Sequence, residues 1–204
     1  LICQIKIGGK MRKGKVERKT GETSIKLELN LDGRGLYKIE TGIPFFNHML
    51  QLMSKHGLFD LNISARGDID VDFHHLVEDV GICLGRAMKE ALGKKERIRR
   101  FGFFVLPMDE ALAMASVDIS GRGILVFNTS IKKKTKAPFD LELAEEFFTA
   151  FARSAEITLH INLLYGKNLH HIIEAIFKAV GRAISEAISI DRRVKGIPST
   201  KGVL

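Results

Sequence analysis

Two copies of one short pattern stand 96 residues apart: His74-His75-Leu76-Val77-Glu78-Asp79 and His170-His171-Ile172-Ile173-Glu174-Ala175. Each opens a stretch with helical periodicity. Positions three and four apart share a helix face, so each glutamate stands beside one histidine of its own pair. Adjacent histidines diverge by about 100° around the helix, so a pair does not grip one ion together. One imidazole shares a site with the glutamate while its neighbour reaches toward a second ion. Imidazole nitrogens with carboxylate oxygens suit Mn, Fe or Zn better than Ca or Mg. A bare helix N-terminus with polar residues is the plain alternative, and recurrence of the pattern at one place in two repeats weighs for metal.

The repeat extends well beyond the histidines. Asn30-Leu31-Asp32-Gly33-Arg34-Gly35 aligns with Asp118-Ile119-Ser120-Gly121-Arg122-Gly123 at an offset of 88, which also pairs Glu22 with Glu110. Farther on, at an offset of 98, His48 pairs with Glu146 and Leu61-Asn62-Ile63 with Leu159-His160-Ile161. His48 and Glu146 both carry side chains able to ligate metal; Glu146 also reads as an exposed helix charge beside Glu145. The chain thus divides into a first repeat unit over residues 11–98 and a second over 99–204. Leu1 is not an initiator whereas Met11 could be, so residues 1–10 read as a foreign or processed extension.

Within a unit the pattern predicts a β-hairpin, a helix, two strands and a helix. Ser24 to Leu31 alternates apolar and polar residues, Gly33-Arg34-Gly35 turns, and Leu36 to Glu40 returns as its partner strand. Pro44 starts a helix to about His56. Leu58 to Ser64 and Ile69 to Phe73 read as strands around a turn at Arg66-Gly67-Asp68, and the long helix follows from His74. The second unit repeats this with Ala111 to Ser120, Ile124 to Phe127, Leu141 to Ser154, Ile157 to Asn162, and a helix from Leu169 to Ile190. The expected class is α+β, two layers of sheet and helix built twice by internal duplication.

At 204 residues and 45% hydrophobic, the chain buries a core without disulfides, and two cysteines with no ligand spacing fit a reducing, cytoplasmic setting. No apolar run approaches the roughly 20 residues of a membrane span, and no signal peptide is visible, so no membrane partner is expected. Thirty-two Lys and Arg against twenty-four Asp and Glu leave a net charge of +8, which attracts anions, including small phosphorylated metabolites. The densest basic run, Lys132-Lys133-Lys134-Thr135-Lys136, has no interleaved aromatics for stacking bases, so no nucleic-acid partner is expected.

The chain resembles the imidazoleglycerol-phosphate dehydratase family from about Gly14 to Lys201. Arg18 to Thr23 (RKTGET), Phe45 to Leu50 (FFNHML), Lys55 to Leu61 (KHGLFDL) and His74 to Gly81 (HHLVEDVG) carry the resemblance. Arg100-Phe101-Gly102, Pro107 to Leu112 (PMDEAL), Asp118 to Arg122 (DISGR), Thr158-Leu159-His160, His170 to Ala179 (HHIIEAIFKA) and Pro198 to Gly202 (PSTKG) continue it in order. The resemblance implies two βαββα-like units, a fold of the kind seen in the second domain of ribosomal protein S5. It also implies a dimanganese centre, with two Mn2+ per active site, and a hollow homo-oligomer of twenty-four subunits with active sites between them. The metal ligands it implies are His48, His74, His75, Glu78, His170, His171 and Glu174, with Glu146 at an eighth position that is often histidine. The substrate contacts it implies are Glu22, His56, Arg100, Arg122, Lys178, Ser199 and Lys201.

The implied reaction, a step of histidine biosynthesis, removes water from D-erythro-1-(imidazol-4-yl)glycerol 3-phosphate to give 3-(imidazol-4-yl)-2-oxopropyl phosphate. The proton to be lost has no carbonyl beside it and the hydroxyl is a poor leaving group. Metal ions supply Lewis acidity and a template, and a carboxylate or imidazole must move the proton. Glu22 is the candidate shuttle, with Glu78, Glu174 and His56 as competitors. Arginine forks and lysine ammoniums suit the phosphate. A metal-dependent hydrolase is a second reading, although HExxH is absent; an RNA-binding module is a third, although aromatic RNP stretches and a GxxG clamp are absent.

Overall fold

The computed structural model describes residues 11–129, 131 and 137–204. The extension at 1–10 and the basic run at 132–136 lie outside them. The element order is β1 (Lys13–Lys19), β2 (Thr23–Asn30), β3 (Tyr37–Glu40), α1 (Pro44–Gly57), β4 (Asp60–Gly67) and α2 (His74–Leu92), followed by β5 (Phe101–Met108), β6 (Ala111–Asp118), β7 (Ile124–Asn128), α3 (Leu141–Ala155), β8 (Thr158–Tyr165) and α4 (Leu169–Ala187). The second six elements repeat the first six. Each unit holds a four-stranded sheet, ordered β1-β2-β4-β3 and β5-β6-β8-β7, in which the first three strands are antiparallel and the last is parallel to its neighbour. The α+β class and the duplicated layout are as expected from sequence.

The strand assignments change in several places. β3 pairs with β4, not with β2, and β7 likewise pairs with β8, not with β6. The Asp60 carboxylate accepts the N–H groups of Arg34 and Leu36 at 2.8 and 3.0 Å, and Leu61 N–H donates to Leu36 carbonyl oxygen at 2.9 Å, so the turn is tied to the start of β4 and the chain leaves beside that strand. Ile69 to Phe73 is no strand. Its alternation of apolar and acidic residues forms a turn closed by Val71 N–H on Asp68 carbonyl oxygen, after which Asp72 accepts the His74 N–H. Finally, β1 and β5 were not legible. β1 is an edge strand of alternating charge (KGKVERK), and β5 is nearly continuous in apolar residues with Pro107 tolerated at the edge.

The core lies between the two sheets. α2 packs on β1 and β2 of its own sheet and on α3 of the other unit; α4 packs on β5 and β6 and on α1. Each long helix is therefore held between its own sheet and the other unit's short helix. Strand residues alternate accordingly, with Ile25, Leu27 and Leu29 of β2 and Leu159, Ile161 and Leu163 of β8 buried. Phe46 of α1, Phe147 and Phe148 of α3 and Phe177 of α4 join the units in one ring cluster, with centroids 4.7 to 5.4 Å apart.

Close backbone approach makes glycine obligatory at matching places. A Cβ on Gly14 of β1 would lie 2.0 Å from the Ala87 carbonyl oxygen of α2, and one on Gly102 of β5 would lie 1.9 Å from that of Ala183 on α4. Gly102→Ala should lower stability by about 3 kcal/mol, the upper range for overpacking. Gly21→Ala, where nothing lies within 4 Å, should stay within about 0.5 kcal/mol. Urea midpoints check both, and equal midpoints would refute the packing account.

Candidate functional site

The α1/α4 seam builds the first donor group. Pro44 starts α1, and Asn168 caps α4 by accepting the N–H groups of His170 and His171 at 2.9 and 3.4 Å. One donor atom each from His48, His170 and Glu174 lies within 4.8 Å of the other two. Glu174 Oε2 faces both rings, 3.1 Å from His170 Nε2 and 3.7 Å from His48 Nε2, while Oε1 takes the Lys178 ammonium. With 8% of its side chain exposed, Glu174 is a buried carboxylate held by these partners. Burial pushes its pKa up, but Lys178 and His170 more than offset that and leave it below the ordinary glutamate value. His56, near the C-terminal end of α1, belongs to the same seam. Burial, then the charges of Lys178 and Arg182, push its imidazole below the ordinary value.

A second donor group gathers where the β1–β2 turn, the end of β4 and the start of α2 meet. It holds Glu22, Asp68 and His75. Asp68 Oδ2 lies 2.9 Å from His75 Nδ1, and Glu22 lies 3.7 Å from the same nitrogen. The hydrogen bond to Asp68 raises His75 above the ordinary histidine pKa, and the same bond lowers that of Asp68. Asp68 Oδ1 is buried with no hydrogen-bond partner among the described residues. His74 turns the other way, 3.9 Å from Glu78, and its ring stands at 89° to that of His75. The second pair diverges likewise: His171 turns from Glu174 to Glu110, at 2.6 Å, with Asp109 at 3.6 Å. Glu110 also accepts the N–H groups of Asn168 and Lys167 at 2.7 and 3.2 Å. The Asn168 N–H, then the His171 ring, hold its carboxyl down at about 2.

Glu146 is half-buried on α3 and stands in no three-donor group among the described residues. The duplicated seam is thus complete on the α1/α4 side alone. Of the residues expected to bind phosphate, Lys178 stands in this seam and the others gather elsewhere. Arg100 donates to Asp118 through Nε and Nη2 at 2.7 and 3.3 Å, and through Nη1 to the Pro198 carbonyl oxygen at 3.0 Å. This ties down the tail that carries Ser199 and Lys201; Arg122 is exposed, 4.0 Å from Asp118. Arg100 N–H bonds to the carbonyl oxygen of Ala187, at the C-terminal end of α4. At 1.5 Å per residue, about 24 Å of helix separates that end from His171.

Sequence reasoning missed Asp68, Asp118 and the role of Glu110. Glu110 carried a signal, its pairing with Glu22 at an offset of 88. Asp68 carried none, because its neighbours imitate a strand.

The duplicated α+β fold gathers two histidine–carboxylate groups, and comparison with known proteins shows its family. The family model for imidazoleglycerol-phosphate dehydratase matches residues 41–184. An imidazoleglycerol-phosphate dehydratase of Clostridium kluyveri is 56% identical over 194 residues, covering 95% of this chain and all of the relative. One of Clostridium novyi is 60% identical over 187 residues, covering 92% and 95%. The crystal structure of the Staphylococcus aureus enzyme superposes with a TM-score of 0.78 at 41% identity, covering 88% of this chain and 99% of that one. That of the Pyrococcus furiosus protein, in complex with (S)-C348, gives 0.80 at 38%, covering 93% and 100%. The chain belongs to the imidazoleglycerol-phosphate dehydratase family, a family of hydro-lyases.

The ties of Arg100 yield a prediction. Asp118→Ala should lower stability by about 1–3 kcal/mol, since it leaves a part-buried guanidinium without its carboxylate. It should also speed proteolytic cleavage after Lys195 and Lys201. Cleavage at the wild-type rate would show that other contacts hold the tail.

Proposed function

We propose that the chain dehydrates D-erythro-1-(imidazol-4-yl)glycerol 3-phosphate to 3-(imidazol-4-yl)-2-oxopropyl phosphate, at a site built around two Mn2+ ions and completed between subunits. The observation that carries this reading is the α1/α4 seam, where two imidazoles and one buried carboxylate converge. Two nitrogens and one oxygen are a donor set suited to Mn2+. Glu174 divides its work, one oxygen on Lys178 and the other facing the imidazoles, so a divalent ion fits without displacing the lysine. We assign His48, His170 and Glu174 to one ion, and His74, His75, Glu78 and His171, completed across subunits, to the other, with Glu146 as an optional ligand.

When bound, the ions supply Lewis acidity and a template for the substrate imidazole. The chain's residues supply the rest. Arg100, Arg122, Ser199, Lys201 and Lys178 bind the phosphate. Glu22, with 59% of its side chain exposed, removes the proton from the carbon next to the carbinol. The C–H and C–O bonds break, Glu22 passes its proton to the departing hydroxyl, which leaves as water, and the resulting enol tautomerises to the ketone. His56 is positioned to exchange a proton along the same seam.

The length of α4 argues for a site shared between copies. A substrate of one ring, three carbons and a phosphate is far shorter than the span between His171 and Arg100. Arg100, Arg122, Ser199 and Lys201 of one chain therefore serve the metal residues of another, where Lys178 already stands beside Glu174. The outer faces of the two sheets differ in the same sense. The first carries Lys15, Glu17, Lys26 and Glu28, whereas the second exposes Phe101, Phe103, Val126 and Tyr165, an apolar face suited to self-association. A twenty-four-subunit shell is the assembly we expect. No helix of the described residues is long and apolar enough to cross a membrane. Burial pushes the Cys83 thiol up to about 11, which keeps it protonated and unreactive.

Four experiments test this reading. Incubation with Mn2+ and substrate should yield the ketone; release of phosphate would favour a hydrolase, and neither product would exclude both. Glu22→Gln should retain metal and substrate but lose about 10²–10⁴-fold in kcat, whereas Lys201→Ala should mainly raise KM. A near-normal kcat in Glu22→Gln would place the shuttle elsewhere. Chelation at neutral pH should convert the particle to smaller species on light scattering, reversed by Mn2+, and an unchanged size would contradict metal bridging. Since Asp68 and Glu110 raise the pKa of His75 and His171 above the ordinary histidine value, Mn2+ affinity measured by titration should fall as the pH is lowered.

A further inference from the structure

The two repeat-equivalent glutamates have taken different work. Glu110, at the tip of the β5–β6 hairpin, spends one oxygen on the N–H groups of Lys167 and Asn168 and the other on His171 Nδ1 at 2.6 Å. It thereby anchors its hairpin to the start of α4 and fixes the second histidine of the pair. Its counterpart Glu22, at the tip of the β1–β2 hairpin, does neither.

Other residues do both jobs in the first unit. The hairpin is anchored by a buried network: Thr23 Oγ1 donates to Asp79 Oδ2 at 2.5 Å and Arg18 Nε to Asp79 Oδ1 at 2.9 Å. Thr20 Oγ1 shapes the tip by accepting the N–H groups of Glu22 and Thr23 at 3.2 and 2.9 Å. The second unit has Ala111 and Ala175 where the first has Thr23 and Asp79, so it lacks this anchor. His75 Nδ1 is taken by Asp68 at 2.9 Å, with Glu22 left beyond hydrogen-bond distance at 3.7 Å.

We propose that Glu110 and Asp68 are positioning residues that hold the Nδ1–H of His171 and His75 and leave each Nε2 to ligate metal, that of His171 with exposed Asp109 beyond hydrogen-bond distance at 3.6 Å, and that Asp68 and Asp79 release Glu22 from that duty. A carboxylate that accepts the Nδ1 proton fixes both the tautomer and the ring orientation of a metal-binding histidine. The inference rests on the dinuclear reading above.

Substitution by glutamine separates the two glutamates. In Glu110→Gln the amide oxygen must stay on the two backbone N–H groups, which turns the NH2 toward His171 Nδ1. A donor there forces the proton onto Nε2, the atom a metal needs. Titration of the metal-free full-length protein with Mn2+, followed by electron paramagnetic resonance, should show affinity lowered about 10–100-fold in Glu110→Gln. Glu22→Gln should bind Mn2+ as wild type does while losing turnover. Asp68→Ala leaves the α4 cap intact and should also weaken Mn2+ binding about tenfold or more, which keeps the test open if Glu110→Gln does not fold. If wild type binds Mn2+ and both positioning variants match it, this division of labour is wrong and the metal centre stands. It is equally wrong if Glu22→Gln weakens binding as much as Glu110→Gln. If wild type itself binds no Mn2+, the metal reading fails and carries this inference with it.

Discussion

The contact on which the site depends is that between each long helix and the short helix of the other unit. On α4, Gly181 brings the backbone so near α1 that a Cβ would stand 2.5 Å from the Met53 carbonyl oxygen. That approach sets His48 within reach of His170 and Glu174, which no contact within one unit could do. α2 and α3 are drawn together in the same way, by Gly81 and Gly85 against the carbonyl oxygens of Phe147 and Phe151, each 2.6 Å from a built Cβ. Interiors packed this closely resist even one added methyl group, so the donor atoms inherit their spacing from the core.

Duplication explains both the economy of this design and its asymmetry. Two copies of one unit, packed helix to helix, yield two facing seams. One seam has histidine opposite the HHxxE helix of the other unit, at position 48; the other seam has Glu146, and the described residues form no three-donor group there. The hairpin tips diverged in parallel, one held by its glutamate and the other by Thr23 and Asp79. The outer faces of the sheets diverged as well, one charged and one apolar.

Much of this was legible in the residues. The offsets of 88, 96 and 98 exposed the duplication, and helical spacing placed His74, Glu78, His170 and Glu174 on helix starts. The helices were found within a few residues, because their apolar stripes and caps are local signals. Pairing was harder. β3 adds to β4 because the Asp60 carboxylate gathers the preceding turn, an interaction that hydrophobic alternation does not encode. Ile69 to Phe73 carries a strand-like pattern yet turns, and with it Asp68 went unseen. The seam was hardest of all, since the choice of helix partners rests on glycine contacts between the units.

The central claim is that the α1/α4 seam holds one of two metal ions. Anomalous diffraction at the manganese edge, from crystals of the Mn2+-loaded protein, tests it most directly. The account predicts two manganese peaks per chain, one of them bound by His48, His170 and Glu174. A single peak per chain, or manganese bound without those three residues, would contradict it.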